Sequence, residues 1–193
     1  MHIDKVRVYD MDETIQASGY PMGKGDLKPE RLTRLGRAKP ASGHDCALKG
    51  VLVSADVTAP QYWWLQFQRY HFADIVSSES KMHKITEMNI STQCNSFVDY
   101  PIVKHLETLV NMYNINNKHP DREFRDRLFQ RIVANCPMGL MLKARITTNY
   151  LQLKNMYYQR CNHKLMEWQV FCDWVLSLPS MAKILKKEEE ICE

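Results

Sequence analysis

Residues 51–71 constrain this chain more than any other stretch, because they commit it to a strand that leads straight into an aromatic helix. Val51–Val57 (Val-Leu-Val-Ser-Ala-Asp-Val) alternates large apolar side chains with small or polar ones, the pattern of a half-buried strand. Ala59–His71 (Ala-Pro-Gln-Tyr-Trp-Trp-Leu-Gln-Phe-Gln-Arg-Tyr-His) then switches to helical spacing. Thr58 is the expected N-cap, and Pro60 falls in the first turn, where a missing N–H is harmless. That helix sets Gln66 and Arg69 three residues apart, on one face. Behind it, Ser77-Ser78-Glu79-Ser80 reads as a small-residue turn whose hydroxyls, beside a cationic helix end, suit an anion such as a phosphate. Tyr62, Trp63, Trp64, Phe67 and Tyr70 could form a stacking platform for bases. At helical spacing next to an apolar strand they read more readily as core.

The bulk properties narrow the class. The chain has 193 residues, about one domain, and the expectation is a single domain over residues 1–193. No apolar run is long enough for a membrane span, and Met-His-Ile-Asp-Lys at the start lacks the apolar stretch of a signal peptide. Six cysteines without a C-x-x-C pair read as free thiols in a reducing cytoplasm, with neither a disulfide scaffold nor a metal site. The formal charge of +4 suits an anionic small substrate as well as it suits nucleic acid.

Along the chain, Lys5–Tyr9 alternates like a strand, and Met11–Ala17 and Pro29–Gly36 read as short helices. Gly23-Lys24-Gly25 is too short for a phosphate-binding P-loop and reads as a turn. Lys81–Met88 is expected to be helical and Asn89–Asn95 a polar loop. Pro101–Asn114 has apolar residues at helical spacing (Ile102, Leu106, Leu109, Val110, Tyr113) and reads as a core helix. Asp121–Ala134, with alternating charges and a narrow apolar stripe, reads as a surface helix. The last element is expected to be one long helix, capped by Thr147 or Thr148 and ended by Pro179. Leu153, Tyr157, Cys161, Leu165, Trp168, Cys172 and Val175 form its buried stripe. At ~100° per residue, Asn149, Arg160, His163 and Glu167 share another face. An Arg and a Glu so placed can equally be a structural ion pair. The charged run Lys186–Glu193 reads as a frayed helix end.

Ser42-Gly43-His44, six residues, Val-Leu-Val-Ser-Ala-Asp-Val-Thr-Ala-Pro, then Tyr62, Gln66 and Arg69 closed by the Ser-rich turn, resemble the flavin-dependent thymidylate synthases, the ThyX family. Those enzymes carry Gln-x-x-Arg-His-Arg and Asn-Glu-x-Ser-x-Arg-Tyr at this place. A second resemblance lies in the C-terminal part, where Asn149, Asn155 and Arg160 match three places of the family's Asn-x-Arg-x-x-x-Asn-x-x-x-x-Arg. The departures are Cys46 for a Thr, Lys49 for a Glu, Tyr70-His71 for His-Arg, Leu151 for an Arg, and a Ser77–His83 turn without the final Arg-Tyr.

The resemblance implies an α+β fold with a small mixed or antiparallel sheet, several helices and a long C-terminal helix. It implies FAD, NADPH and 5,10-methylenetetrahydrofolate as cofactors, methylation of dUMP to dTMP, and a cytoplasmic homotetramer with active sites shared between subunits. No membrane or nucleic-acid partner is expected. Arg160 would be catalytic, favouring the ionised pyrimidine ring by its fixed charge. Gln66, Arg69, Glu79, Ser80 and Arg131 would bind the nucleotide, because a guanidinium fork suits phosphate. His44, His71, Asn149 and Asn155 would bind the flavin. A different pyrimidine nucleotide such as dCMP, or a nucleotide-binding relative without catalysis, are the alternatives.

Overall fold

In the computed structural model, which describes residues 1–185, a four-stranded antiparallel sheet of order β1-β2-β4-β3 carries helices on one face. The strands are β1 (His2–Tyr9), β2 (Leu52–Pro60), β3 (Ala73–Ser78) and β4 (Met141–Asn149). Helices α1 (Met11–Ala17) and α2 (Pro29–Gly36) lie between β1 and β2, and α3 (Gln61–Phe67) between β2 and β3. The excursion between β3 and β4 contains α4 (Lys81–Lys84), α5 (Ile90–Gln93), α6 (Tyr100–Ile115) and α7 (Arg122–Ala134). Three helices follow β4: α8 (Tyr150–Arg160), α9 (Met166–Ser177) and α10 (Met181–Leu185). The α+β expectation therefore holds, and every pairing in the sheet is antiparallel. No described helix is long and apolar enough to cross a membrane. The run 186–193 lies outside the described residues.

Two cores follow from the patterning. Val53, Ala55, Val57 and Ala59 of β2 and Ala144 and Ile146 of β4 point to one side, under Trp63, Phe67, Trp168 and Phe171. A second cluster joins Leu106, Leu109 and Val110 of α6 to Ile132 of α7 and Leu140, and Leu142 packs against both clusters. Ile102 differs from the expected stripe of α6 and is exposed.

Several boundaries differ from the sequence reading, each for a tertiary reason. Thr58 does not cap α3, because Thr58–Pro60 pairs with Lys143–Met141 and stays in the ladder. The first free N–H groups of α3 are met by the neighbouring loop instead: Gln61 N donates to Leu140 O (3.1 Å) and Tyr62 N to Met138 O (3.2 Å). Ser77 and Ser78 are not a turn but the end of edge strand β3. Thr147 and Thr148 belong to β4, and Asn149 caps α8 by accepting from Gln152 N at 2.9 Å. The helix expected over Lys81–Met88 stops at Lys84, and the expected loop at Asn89–Asn95 contains α5, capped by the Asn89 side chain. The long C-terminal helix is broken between Arg160 and Met166.

The sheet face away from the helices is polar at its centre and carries the exposed Tyr9, Leu52, Phe72 and Val76 around the cleft at one end. Asp56, at its centre, accepts from Arg145 Nη1 at 3.0 Å, with Lys143 at 3.3 Å and Lys5 at 3.4 Å. Arg145 also donates to Ser54 Oγ (2.6 Å) and Lys5 O (2.9 Å). The hydrogen bond from Arg145, then those from Lys143 and Lys5, hold the Asp56 carboxyl below its ordinary value against the effect of burial. A carboxyl lowered in the folded state stabilises above its unfolded pKa of about 4, and that contribution is lost as pH falls through the folded value. Asp56→Asn is accordingly expected to flatten the acid limb of a melting-temperature profile below about pH 4, where the parent steepens.

Candidate functional site

The break after α8 builds a polar cluster on the helical side of the sheet. Cys161 ends α8, and the next residues bond locally: His163 N to Arg160 O (2.9 Å), Leu165 N to His163 Nδ1 (3.1 Å) and Trp168 N to Leu165 O (3.0 Å). On one straight helix Arg160 and Trp168 would stand about 12 Å apart along the axis. The turn folds them together, so that the Arg160 guanidinium lies 4.7 Å from the Trp168 ring centroid and 5.7 Å from that of Tyr70.

Gln66 completes the cluster from α3. Its Oε1 accepts from Trp168 Nε1 (2.8 Å) and from Arg160 Nη1 (3.4 Å). Arg160 Nε donates to the Tyr70 hydroxyl (2.8 Å), which in turn donates to Gln159 Oε1 (3.1 Å). The guanidinium is thus fixed by neutral oxygens and aromatic faces. No ion pair among the described residues includes Arg160. Among the described residues its charge is oriented but not cancelled, and it is only partly solvated. Such a group attracts an anion, or a ring oxygen on which negative charge develops, more strongly than an exposed arginine does.

The expected alternative for Arg160, an ion pair with Glu167, is not formed. Glu167 is buried and accepts from the Tyr62 hydroxyl, which also receives Asn95 Nδ2 at 3.0 Å. Burial first, and the Glu167 hydrogen bond second, push the Tyr62 hydroxyl up to about 12, so it stays a donor. His163 stands beside the cluster, its ring 6.3 Å from Trp168, and burial with the Arg160 charge lowers its pKa.

The remaining expected residues are distributed over other places. Arg69 does not share a helical face with Gln66: α3 ends at Phe67, and Arg69 is an exposed residue of the following turn, as is His71. Tyr70, between them, reaches inward to Arg160. Glu79 sits at the end of β3, where its N–H donates to Lys143 O and its Oε2 accepts from Lys143 N, both at 2.8 Å. It borders a cleft of about 260 Å³ with Gln61, Trp64 and Gln68, on the face of α3 opposite Gln66. Ser80 precedes α4 and its carbonyl accepts from His83 and Lys84. Asn149 borders a cleft of about 580 Å³ on the sheet face away from the helices, with Phe72, Asp74 and Arg145. Glu79 pairs with Lys143, six residues from Asn149 on β4, so the two stand about 20 Å apart. Arg131 is exposed on α7, over the second core. His44 is exposed in the loop before β2, and Asn155 is half-buried on α8.

Gln66 and Arg160 are therefore brought together, and the other expected residues are not. Tyr70 and Trp168, which hold the guanidinium, escaped the sequence reading because aromatics at helical spacing read as core. The signal that could have found Tyr70 is its place in the motif, where the resembling family has a histidine.

No family model matches the sequence, and no curated protein does. Among solved structures, two crystal structures of the flavin-dependent thymidylate synthase ThyX from Helicobacter pylori, complexed with FAD and dUMP, are similar. They are 15% and 14% identical in sequence, each with a TM-score of 0.69, and the alignment covers 96% of this chain and 97% of theirs. The chain has the fold of those enzymes over nearly its whole length.

Proposed function

We propose that this protein, working as one domain, is a flavin-dependent enzyme acting on a deoxypyrimidine monophosphate, converting dUMP to dTMP. The observation that carries the reading is Arg160, held by Gln66, Tyr70 and Trp168 and joined to no carboxylate among the described residues. Arg160 would stabilise the ionised pyrimidine ring, and the Gln66 amide would orient the base or sugar. Arg69 and His71, exposed on either side of Tyr70, stand where a phosphate or flavin group could approach that cluster. Bound FAD would supply the redox chemistry, with NADPH as reductant and 5,10-methylenetetrahydrofolate as one-carbon donor.

The residues proposed for the flavin do not converge within one chain: Asn149 lies on the sheet face away from the helices, His44 in the exposed loop before β2, and Asn155 half-buried on α8. Glu79, Ser80 and Arg131 are likewise separated from Arg160. A cytoplasmic homotetramer in which neighbouring copies complete each site reconciles these positions with one reaction. In that arrangement Glu79, Ser80 and Arg131 serve a nucleotide held by another copy.

The deciding experiment has two readouts. The purified protein is expected to show a flavin absorption band or to take up added FAD, and to release tritium from position five of labelled dUMP. A colourless protein that binds no FAD would sink the enzyme reading. Release from labelled dCMP but not dUMP would keep the chemistry and change the substrate. Arg69→Ala is expected to weaken nucleotide affinity about tenfold, the size of one lost charge-assisted contact, with little change in maximal rate. Unaltered affinity in a titration would remove Arg69 from the site.

A further inference from the structure

Lys154 is wholly buried on α8, and Nζ donates to Asp45 Oδ2 and to Ala38 O, each at 2.6 Å. These bonds hold both ends of an exposed loop: Ala38 is where it leaves α2, and Asp45 is where it re-enters the core. Between them, residues 39–44 contribute no side chain to either core. Their internal bonds are few: Ser42 N to Lys39 O at 3.1 Å, Cys46 N to Gly43 O at 3.3 Å and His44 N to Ser42 Oγ at 3.4 Å. Two positions are left-handed, Gly43 (φ 80°) and Ala41 (φ 64°). A left-handed alanine is unfavourable by itself and persists only where its surroundings over-determine it.

An ion pair taken fully out of water is a weak source of stability, since an apolar pair of similar volume often serves as well. What it offers is direction: an ammonium that must satisfy a carboxylate and a carbonyl at fixed distances fixes the chain that carries them. Asp45 is the neighbour of His44, and Lys154 the neighbour of Asn155. We infer that the buried Asp45–Lys154 pair is a positioning element that sets the loop bearing His44 against α8 in the arrangement used to bind FAD. The inference rests on the flavin reading given above.

The test uses the full chain with Asp45→Leu and Lys154→Met together, which removes the pair without leaving a lone buried charge. The double variant is expected to keep a cooperative melting transition. Amide exchange at Ser42, His44 and Cys46, the bonded amides of this loop, should rise about tenfold while α9 stays protected. The FAD dissociation constant should rise about tenfold, and adding His44→Ala should then cost nothing more, although His44→Ala alone weakens FAD binding. Unchanged exchange, or a His44→Ala effect that remains whole in the double variant, overturns the proposal. If the parent protein binds no FAD, the flavin reading fails, and the exchange measurement alone judges whether the pair positions the loop. Should the double variant not fold, Lys154→Met with Asp45→Asn, which likewise removes both charges and the bond between them, is read the same way.

Discussion

Replacing Arg160 with alanine is expected to lower turnover by about two to three orders of magnitude, the size seen when one preorganised charge-stabilising donor is removed. The fold should survive. Arg160 ends α8, is only half-buried and joins no ion pair among the described residues, so its removal strands no buried carboxylate. It leaves Gln66 Oε1 still bonded to Trp168 and the Tyr70 hydroxyl still bonded to Gln159. Loss of activity with an unchanged circular-dichroism melt and an unchanged flavin spectrum would identify a role in the reacting complex. Turnover within a factor of about three of the parent would refute that role, since such a change is below 1 kcal/mol in barrier height. A decrease in maximal rate larger than that in substrate affinity is the expected split, because the interaction strengthens as charge develops on the ring.

The second large effect lies in the core beneath that arginine. Trp63 is fully buried, with ring centroids 5.0 Å from Trp64 and Phe67, 4.9 Å from Trp168 and 5.7 Å from Phe171. Trp63→Ala is expected to destabilise by about 3–5 kcal/mol, from lost transfer energy and the cavity left in a ring of rigid aromatics. Trp63→Phe should cost far less. Among the described residues the indole Nε1 of Trp63 is buried without a hydrogen-bond partner, and removing it relieves a desolvation penalty of about 1–3 kcal/mol that offsets the smaller ring. Denaturant unfolding of the two variants separates the cases, and a Trp63→Phe loss as large as its smaller ring volume alone predicts would show that the orphaned N–H carries no penalty. Because Trp168 touches both Trp63 and Arg160, the alanine variant should also loosen the guanidinium.

Local patterning made part of this molecule readable. Helices α1 and α2 have the expected bounds, α6 and α7 differ by a residue or so, and β2 lies where alternation placed it. The helices among them bury one clear face and β2 alternates large apolar with small or polar residues, so their residue order already states their environment. β4 was harder. Leu142, Ala144, Ile146 and Thr148 do alternate inward, but one small and one polar residue weaken the signal. The edge strand β3, ending in two serines, shows almost no apolar period. The cap of α3 could not be read at all, because its N–H partners belong to carbonyls about 80 residues further along.

The same division applies to the site. The sequence by itself determined that Gln66, Arg69, Arg160 and Asn149 stand at intervals resembling one enzyme family, and that a strand, an aromatic helix and a C-terminal helical region carry them. Only the tertiary structure decided which of them meet. Arg160 joins Gln66 because the chain breaks after Cys161 and folds Trp168 back beneath the guanidinium, a break that the unbroken apolar stripe concealed. Glu79 and Asn149 part because the antiparallel register sets them at opposite ends of the same strand pairing. Spacing along a chain fixes the face a side chain occupies. Contact between distant residues depends on where the chain turns and in which register strands pair, and both are settled by packing of the whole molecule.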